Sequence, residues 1–425
     1  MEQQSHTVTT TEFAADAVEL LSRTIRYSMK RDDGTTGTEH LVHTLLDDNE
    51  KPGAALVPGL NKSTSVAGRI MAMEDRHWVH DDGFHGEPVA LDAPGEEDNR
   101  FEATAAWREA LKLAELKYAR KLPEGATWPE QPSGALREVL VGSVRLARTE
   151  GTYEVHGRHL ARAVLNVGKC RAVEVMTLCR VDLAASASAL DAQAEAVRGG
   201  AKPWPSETDT EDGSVRLLRQ SGLLGERGKW WVRGLMSLMS RTSGDGSPVV
   251  SVLSSEARRQ AARHGRKVAE QEDLLLAIPA LDRALTLAGE TPPEALRSNT
   301  TVVGLLRSHG MDHALLVRAA DSDGRPAEPT EPAGPTESTA RDESAESAES
   351  AESATQDHTG FTADAYRILS KARLLVAERG ASTVGVEDVL TVLLDDTDGR
   401  AVRLLQDHGV DLAGVRAGLD GLIAT

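Results

Sequence analysis

The stretch GTTGTEHLVHTLLDD occupies residues 34–48, and STVGVEDVLTVLLDD occupies residues 382–396. Each runs from a small-residue turn to an acid, then to an apolar stripe, then to Asp-Asp. Apolar residues three and four positions apart mark one buried face of a helix. The second stretch lies inside a longer pattern that parses as four helices: Ala363 to Glu378, Glu387 to Leu394, Arg400 to Gln406 and Leu412 to Ile423. Gly380 stops the first of these and Gly409 the third, because the residue after a helix end often takes positive φ.

Moved along the chain, this four-helix frame recurs. Phe361 to Gly385 spans 24 residues, and so does Phe13 to Gly37. A third copy begins at PVVSVLSSEARRQ, with Glu272-Asp273 in place of Glu387-Asp388 and Gly265 in place of Gly380. It closes with TVVGLLRSHGMDHALL after an insertion containing GETPPEAL. A more divergent copy, ALREVLVGSVRLARTEG onward, keeps Gly151, Ala172 and Val181-Asp182-Leu183 in register but has Arg158 at the acid position. Repetition of one supersecondary unit predicts helical units that bury their faces against each other. The expected layout is repeat one at 1–79, an irregular insertion with a helix at 80–131, repeat two at 132–197 and a linker at 198–214. An amphipathic segment follows at 215–246, then repeat three at 247–320, an acidic linker at 321–357 and repeat four at 358–425.

Composition supports an all-α reading. Hydrophobic residues make up 40% of the 425 but aromatics only 3%, so cores must be built from Leu, Val and Ala, which suit helix packing. The net charge of −18 argues against a nucleic-acid backbone as partner. Between residues 321 and 357 there are 11 acids and 2 arginines, with ESA repeated four times, which predicts a solvated linker. Two cysteines, Cys170 and Cys179, make neither a zinc pattern nor a disulfide framework, and a reducing, cytoplasmic setting is expected. No signal peptide and no membrane span are read.

These residues resemble the N-terminal repeats of Clp ATPases of the ClpA/ClpC class. GTEHLVHTLL follows that family's motif nearly verbatim, and FTADA, VGVEDVLTVLL and GRAVRLLQDHGVDL follow it closely. The resemblance implies two pseudo-twofold helical domains, pairing repeat one with two and repeat three with four. It also implies recognition without a motor, because no phosphate loop is present. GLLGERGKWW has five residues between Gly222 and Gly228, and Trp230 follows Lys229 where Ser or Thr is needed.

In the family, the acid heading the second helix pairs with the guanidinium of a substrate phosphoarginine, while a nearby Thr and backbone amides hold the phosphate. Carried onto this chain, the candidates are Glu39 with Thr38, Glu272 with Ser247, and Glu387 with Thr362. Glu39 has Ala14 where the leading Thr belongs, and Arg158 breaks the pattern in repeat two. An acid in the first helical turn also interacts favourably with the helix dipole, by about 0.3–1 kcal/mol, so a purely structural reading stays open. Phe13 and Phe361 head their repeats, where the family docks cyclic-peptide antibiotics; an inward-packing staple is the alternative. His77, His80 and His85 with Asp81 and Asp82 match no standard metal pattern and read as a polar loop. KWWVRGLMSLMS reads as a helix packed onto a repeat.

No catalytic constellation, metal site or cofactor is expected. The expected function is a non-catalytic binder of Clp-type ligands: adaptors, arginine-phosphorylated or unfolded clients, or those antibiotics. It would serve the ClpC/ClpP proteolytic system as an accessory factor or decoy. The alternative is a helical regulatory module whose repeat surface binds an unrelated protein.

Overall fold

The computed structural model describes residues 10–31, 34–47, 52–57, 81, 95–122, 127–199, 212–220, 224, 248–290, 296–322, 360–381 and 383–423. Among these are seventeen α-helices and two strands of two residues each, so the chain is all-α. None of the described helices is long and apolar enough to cross a membrane. Ser247, the KWWVRGLMSLMS segment, most of the acidic stretch and the three histidines at 77, 80 and 85 lie outside the described residues.

The chain divides into two compact units, the first spanning Thr10–Asp212 and the second including Gly213–Thr425. In the first unit, β1 (Glu12–Phe13) leads into α1 (Ala15–Arg31), α2 (Thr38–Asp47) and α3 (Pro52–Leu56). Next come α4 (Glu96–Tyr118), a 3-10 turn (Ala119–Lys121) and α5 (Gly134–Glu150). β2 (Glu154–Val155), α6 (Gly157–Val167), α7 (Arg171–Leu178) and α8 (Leu183–Arg198) complete it. α4 lies within the insertion at 80–131 and opens at Glu96.

The core is aliphatic. Leu21, Ile25, Leu41, Leu45, Leu136, Leu140, Leu160 and Met176 are fully buried. Each such side chain contributes about 1.5–3 kcal/mol on burial. α1 packs on α2 and α4, and α5 packs on α4 and α6.

A short parallel pairing at each end ties the repeats together. Glu12 pairs with Glu154 and Phe13 with Val155. Reciprocally, Thr36 bridges Pro132, and the Ser133 N–H donates to the Thr36 carbonyl at 3.0 Å. The lead-in of each repeat therefore lies beside the second helix of the other repeat.

The second unit contains α9 (Gly213–Gln220), α10 (Pro248–Arg263), α11 (Gln271–Leu287), α12 (Arg297–Ser308) and α13 (His313–Ser322). It ends with α14 (Ala363–Glu378), α15 (Val386–Asp395), α16 (Arg400–Asp407) and α17 (Leu412–Ile423). The last four helices occupy the segments that the spacing predicts, to within a residue at each end. Every residue of α11 from Gln271 to Leu285 is buried, the charged Glu272, Asp273, Asp282 and Arg283 included, which puts this helix at the centre of its unit. The insertion in repeat three begins as an extension of this helix, which has 17 residues where α2 and α15 have 10. The crossed pairing recurs here: Ala269, just before α11, bridges Phe361, and the Thr362 N–H donates to the Ala269 carbonyl at 3.0 Å.

Candidate recognition sites at four helix heads

The acids of the repeat motif stand at the heads of α2, α11 and α15, with Arg158 at the head of α6. All four heads are closed in one way. The residue three positions on accepts the backbone N–H of the residue preceding the helix. His40 Nδ1 takes Gly37 N–H at 3.0 Å and His159 Nδ1 takes His156 N–H at 2.9 Å. Asp273 takes Glu270 N–H at 2.9 Å and Asp388 takes Gly385 N–H at 2.8 Å. The His or Asp after the motif acid is thus a capping residue, satisfying a donor that the helix cannot.

At the head of α2, Thr38 and Glu39 are both buried, and so is a carboxylate from outside the repeat frame. Asp81 is 0% exposed. It accepts the Thr38 N–H at 2.7 Å, the Thr38 hydroxyl at 3.0 Å, the Ser133 hydroxyl at 3.1 Å and the Arg171 N–H at 3.0 Å. Beside it, Arg171 Nη1 donates to Glu39 Oε1 at 3.0 Å. Glu39 Oε2 is buried with no hydrogen-bond partner among the described residues. The polar-loop reading of the histidine-rich stretch is therefore corrected at Asp81, which is interior.

At the head of α6 the charge is reversed. Arg158 is buried and its Nη2 lies 3.1 Å from Glu150 Oε2, which also meets His159 Nε2 at 2.9 Å. Burial keeps the His159 imidazole neutral, with its pKa pressed down to about 4. Burial would raise the Glu150 carboxyl, but the His159 hydrogen bond and the neighbouring Arg158 hold it below the usual carboxylate range. Asp16 takes the Gly157 N–H at 3.2 Å and His156 Nδ1 at 2.9 Å.

At the head of α11, Glu272 meets Arg400 Nη1 at 3.2 Å and Arg266 Nη1 at 3.5 Å. Arg266 also makes two bonds to Asp273, at 2.6 and 3.1 Å, and Arg400 contacts Glu270. Burial, with like charge from Glu270, raises the Glu272 carboxyl to about 7 against the pull of Arg266.

The head of α15 differs from the other three in exposure and pairing. Glu387 is half-buried and has no ion-pair partner among the described residues, whereas its buried, unpartnered Oε2 is a feature it shares with Glu39 and Glu272. The carboxylate folds back over Gly385, where an added Cβ would sit 2.2 Å from Glu387 Oε1. The same approach occurs at Gly37, 2.3 Å from Glu39 Oε2, so the glycine of the Gly-x-Glu motif makes room for its own acid.

The arginines explain the difference. Arg171 opens α7 and Arg400 opens α16, the third helices of repeats two and four. Each neutralises the acid of the partner repeat. Sequence reasoning missed both, although the tripeptide Arg-Ala-Val at 171–173 and 400–402 was the available signal. In repeat three the same position is Thr301, so the position that supplies a cation to Glu39 and Glu272 supplies none to Glu387.

Other candidates move. Thr362 caps α14, accepting the Ala365 N–H at 3.3 Å, and its backbone is tied to Ala269 at the approach to α11. It accompanies Glu272, not Glu387, because lead-ins cross between repeats. Ser133 occupies the equivalent place beside Glu39. Phe13 and Phe361 are 2% and 3% exposed. The Phe13 N–H donates to Glu102 of α4 at 3.2 Å, and the Arg258 guanidinium lies 4.8 Å over the Phe361 ring. Both rings are core staples, so docking of an antibiotic on them is not supported. Both cysteines are free, and burial raises the Cys170 thiol to about 11. No group of metal-binding side chains occurs among the described residues.

Residues 310–425 match the family model of the Clp repeat (R) N-terminal domain, a helical protein-interaction domain of the Clp system. No curated protein and no solved structure gives a significant match to the chain.

Proposed function

We propose that this chain is a non-catalytic recognition protein of the Clp type and that the head of α15 is its recognition site. The observation that carries the reading is Glu387: a half-buried carboxylate at the positive end of a helix that, unlike Glu39 and Glu272, has no arginine partner among the described residues. A carboxylate in that setting suits a guanidinium, which it can grip through two parallel bonds. The first turn of α15 offers the complementary pole for a phosphate. The substrate class is accordingly an arginine-phosphorylated protein, presented to or withheld from a ClpC/ClpP-type protease in the cytoplasm. Titration with a phosphoarginine peptide tests it: wild type binds, Glu387→Ala does not, and Glu39→Ala binds as wild type. Binding that is absent, or indifferent to Glu387→Ala, overturns the reading.

A second reading is favoured by the arginine pairs at Glu39 and Glu272. If internal neutralisation reflects drift of the whole repeat surface, the partner is an unrelated protein bound away from the heads. Capture from lysate that Glu387→Ala leaves unchanged supports that reading. ATP hydrolysis by the purified protein would contradict the non-catalytic assignment in either case.

A further inference from the structure

We propose that the cleft between α4 and α5 binds a small organic acid, with one carboxylate on a flat apolar body. A cavity of about 510 Å³ lies there, walled by α4, by the first two turns of α5 and by the lead-in at 130–132. Its volume is that of a small-molecule site. α4 belongs to the insertion, so half of this wall comes from outside the repeat frame. On α4 the wall residues are Arg100, Ala103, Thr104, Trp107 and Arg108, whose spacing of three and four places them on one face. Ala103 and Trp107, with Leu140 and Val141 of α5, are buried and make an apolar floor. The Trp107 indole N–H is already given to the Glu130 carbonyl at 3.3 Å, so its ring offers apolar surface rather than a donor. The small Ala103, one turn away, leaves the space that a flat ring would fill.

Two arginines on the wall are incompletely neutralised, in a chain of net charge −18. Arg100 comes no nearer than 3.9 Å to Glu96, both of whose oxygens already take Arg145, at 2.9 and 3.1 Å. The Arg100 Nε is buried and has no hydrogen-bond partner among the described residues. A buried donor without an acceptor is unfavourable, and a carboxylate entering the cleft relieves it. Arg137 donates to the neutral amide oxygen of Gln131 at 2.8 Å and has no ion-pair partner among the described residues. A guanidinium so placed keeps donors for a ligand carboxylate, which it can meet through two parallel bonds. Glu130 and Glu138 also line the cleft, and neither pairs with Arg100 or Arg137. With Arg108, three cations face two acids, a balance that accepts one negative charge and disfavours a polyanion. The cleft lies in the first unit and its ligand needs neither guanidinium nor phosphate, so this inference stands or fails separately from the reading of Glu387.

The probe is 2-naphthoate, followed by the anisotropy of its own fluorescence as the full chain is titrated in. Wild type binds it, and 2-naphthamide, which has the same shape without the charge, binds about tenfold more weakly or worse. Arg100→Gln and Arg137→Gln each weaken 2-naphthoate by about tenfold and leave 2-naphthamide within about twofold of wild type. Thr104 is exposed on the wall, so Thr104→Trp fills the cleft without touching the core, and it abolishes binding of both probes. Arg137 is exposed as well, so Arg137→Gln keeps the fold whatever Arg100→Gln does, and it alone must show the selective loss. Absence of 2-naphthoate binding, equal affinity for the two probes, or binding that Thr104→Trp leaves unchanged overturns the proposal. So does an Arg137→Gln variant that binds 2-naphthoate as wild type does, or that loses both probes equally.

Discussion

Arg180 is the one described residue other than glycine with positive φ, at 57°. Its counterparts in repeats three and four are Gly310 and Gly409, with φ of 97° and 71°. All three positions close the helix before them in the same way, with the next N–H reaching back to Met176, Leu306 and Leu405. A side chain in that conformation costs about 1 kcal/mol, so Arg180→Gly should stabilise the first unit by about 0.5–1 kcal/mol in denaturant unfolding. The glycines of the Gly-x-Glu motif give a paired prediction. Gly37→Ala must displace a buried carboxylate tied to Arg171 and should cost about 1–3 kcal/mol. Gly385→Ala displaces a half-buried carboxylate with no ion-pair partner among the described residues, so it should cost less stability but weaken phosphoarginine binding. At this scale the acids and their glycines were legible, because motif residues repeat at fixed distances. Asp81 was not, since it belongs to no repeat and its burial depends on contacts far away in sequence. The leading Thr was assigned to the wrong acid because a linear frame cannot show that lead-ins cross between repeats.

The helices were legible where apolar spacing and stop residues agree, as in α14 to α17. Legibility failed where an insertion changed an element's length. GETPPEAL marks an interruption, yet the preceding helix absorbs part of the added chain and runs to Leu287 through Pro279. Burying that helix on all sides has an electrostatic consequence at its head. Burial holds the Glu272 carboxyl at about 7, above its ordinary 4.5. Between those two pH values the folded chain keeps a proton that the unfolded chain has lost. Glu272 therefore subtracts stability as pH rises from about 4.5 to 7. Glu272→Gln should flatten the stability of the second unit across that window, measured as the denaturation midpoint at a series of pH values. A slope equal to that of wild type would show that Glu272 ionises normally.

At the scale of the molecule, one repeat design has been used four times with different endings. Two heads are neutralised by an arginine from the partner repeat, one has exchanged its acid for Arg158, and one keeps a carboxylate with no ion-pair partner among the described residues. Counting motif acids would predict three equivalent sites, whereas counting their partners predicts one. The count is directly measurable by calorimetric titration of the full chain with a phosphoarginine peptide. The account predicts one site per chain, abolished by Glu387→Ala and unchanged by Glu39→Ala. Binding that survives Glu387→Ala, or that is lost with Glu39→Ala, would contradict it.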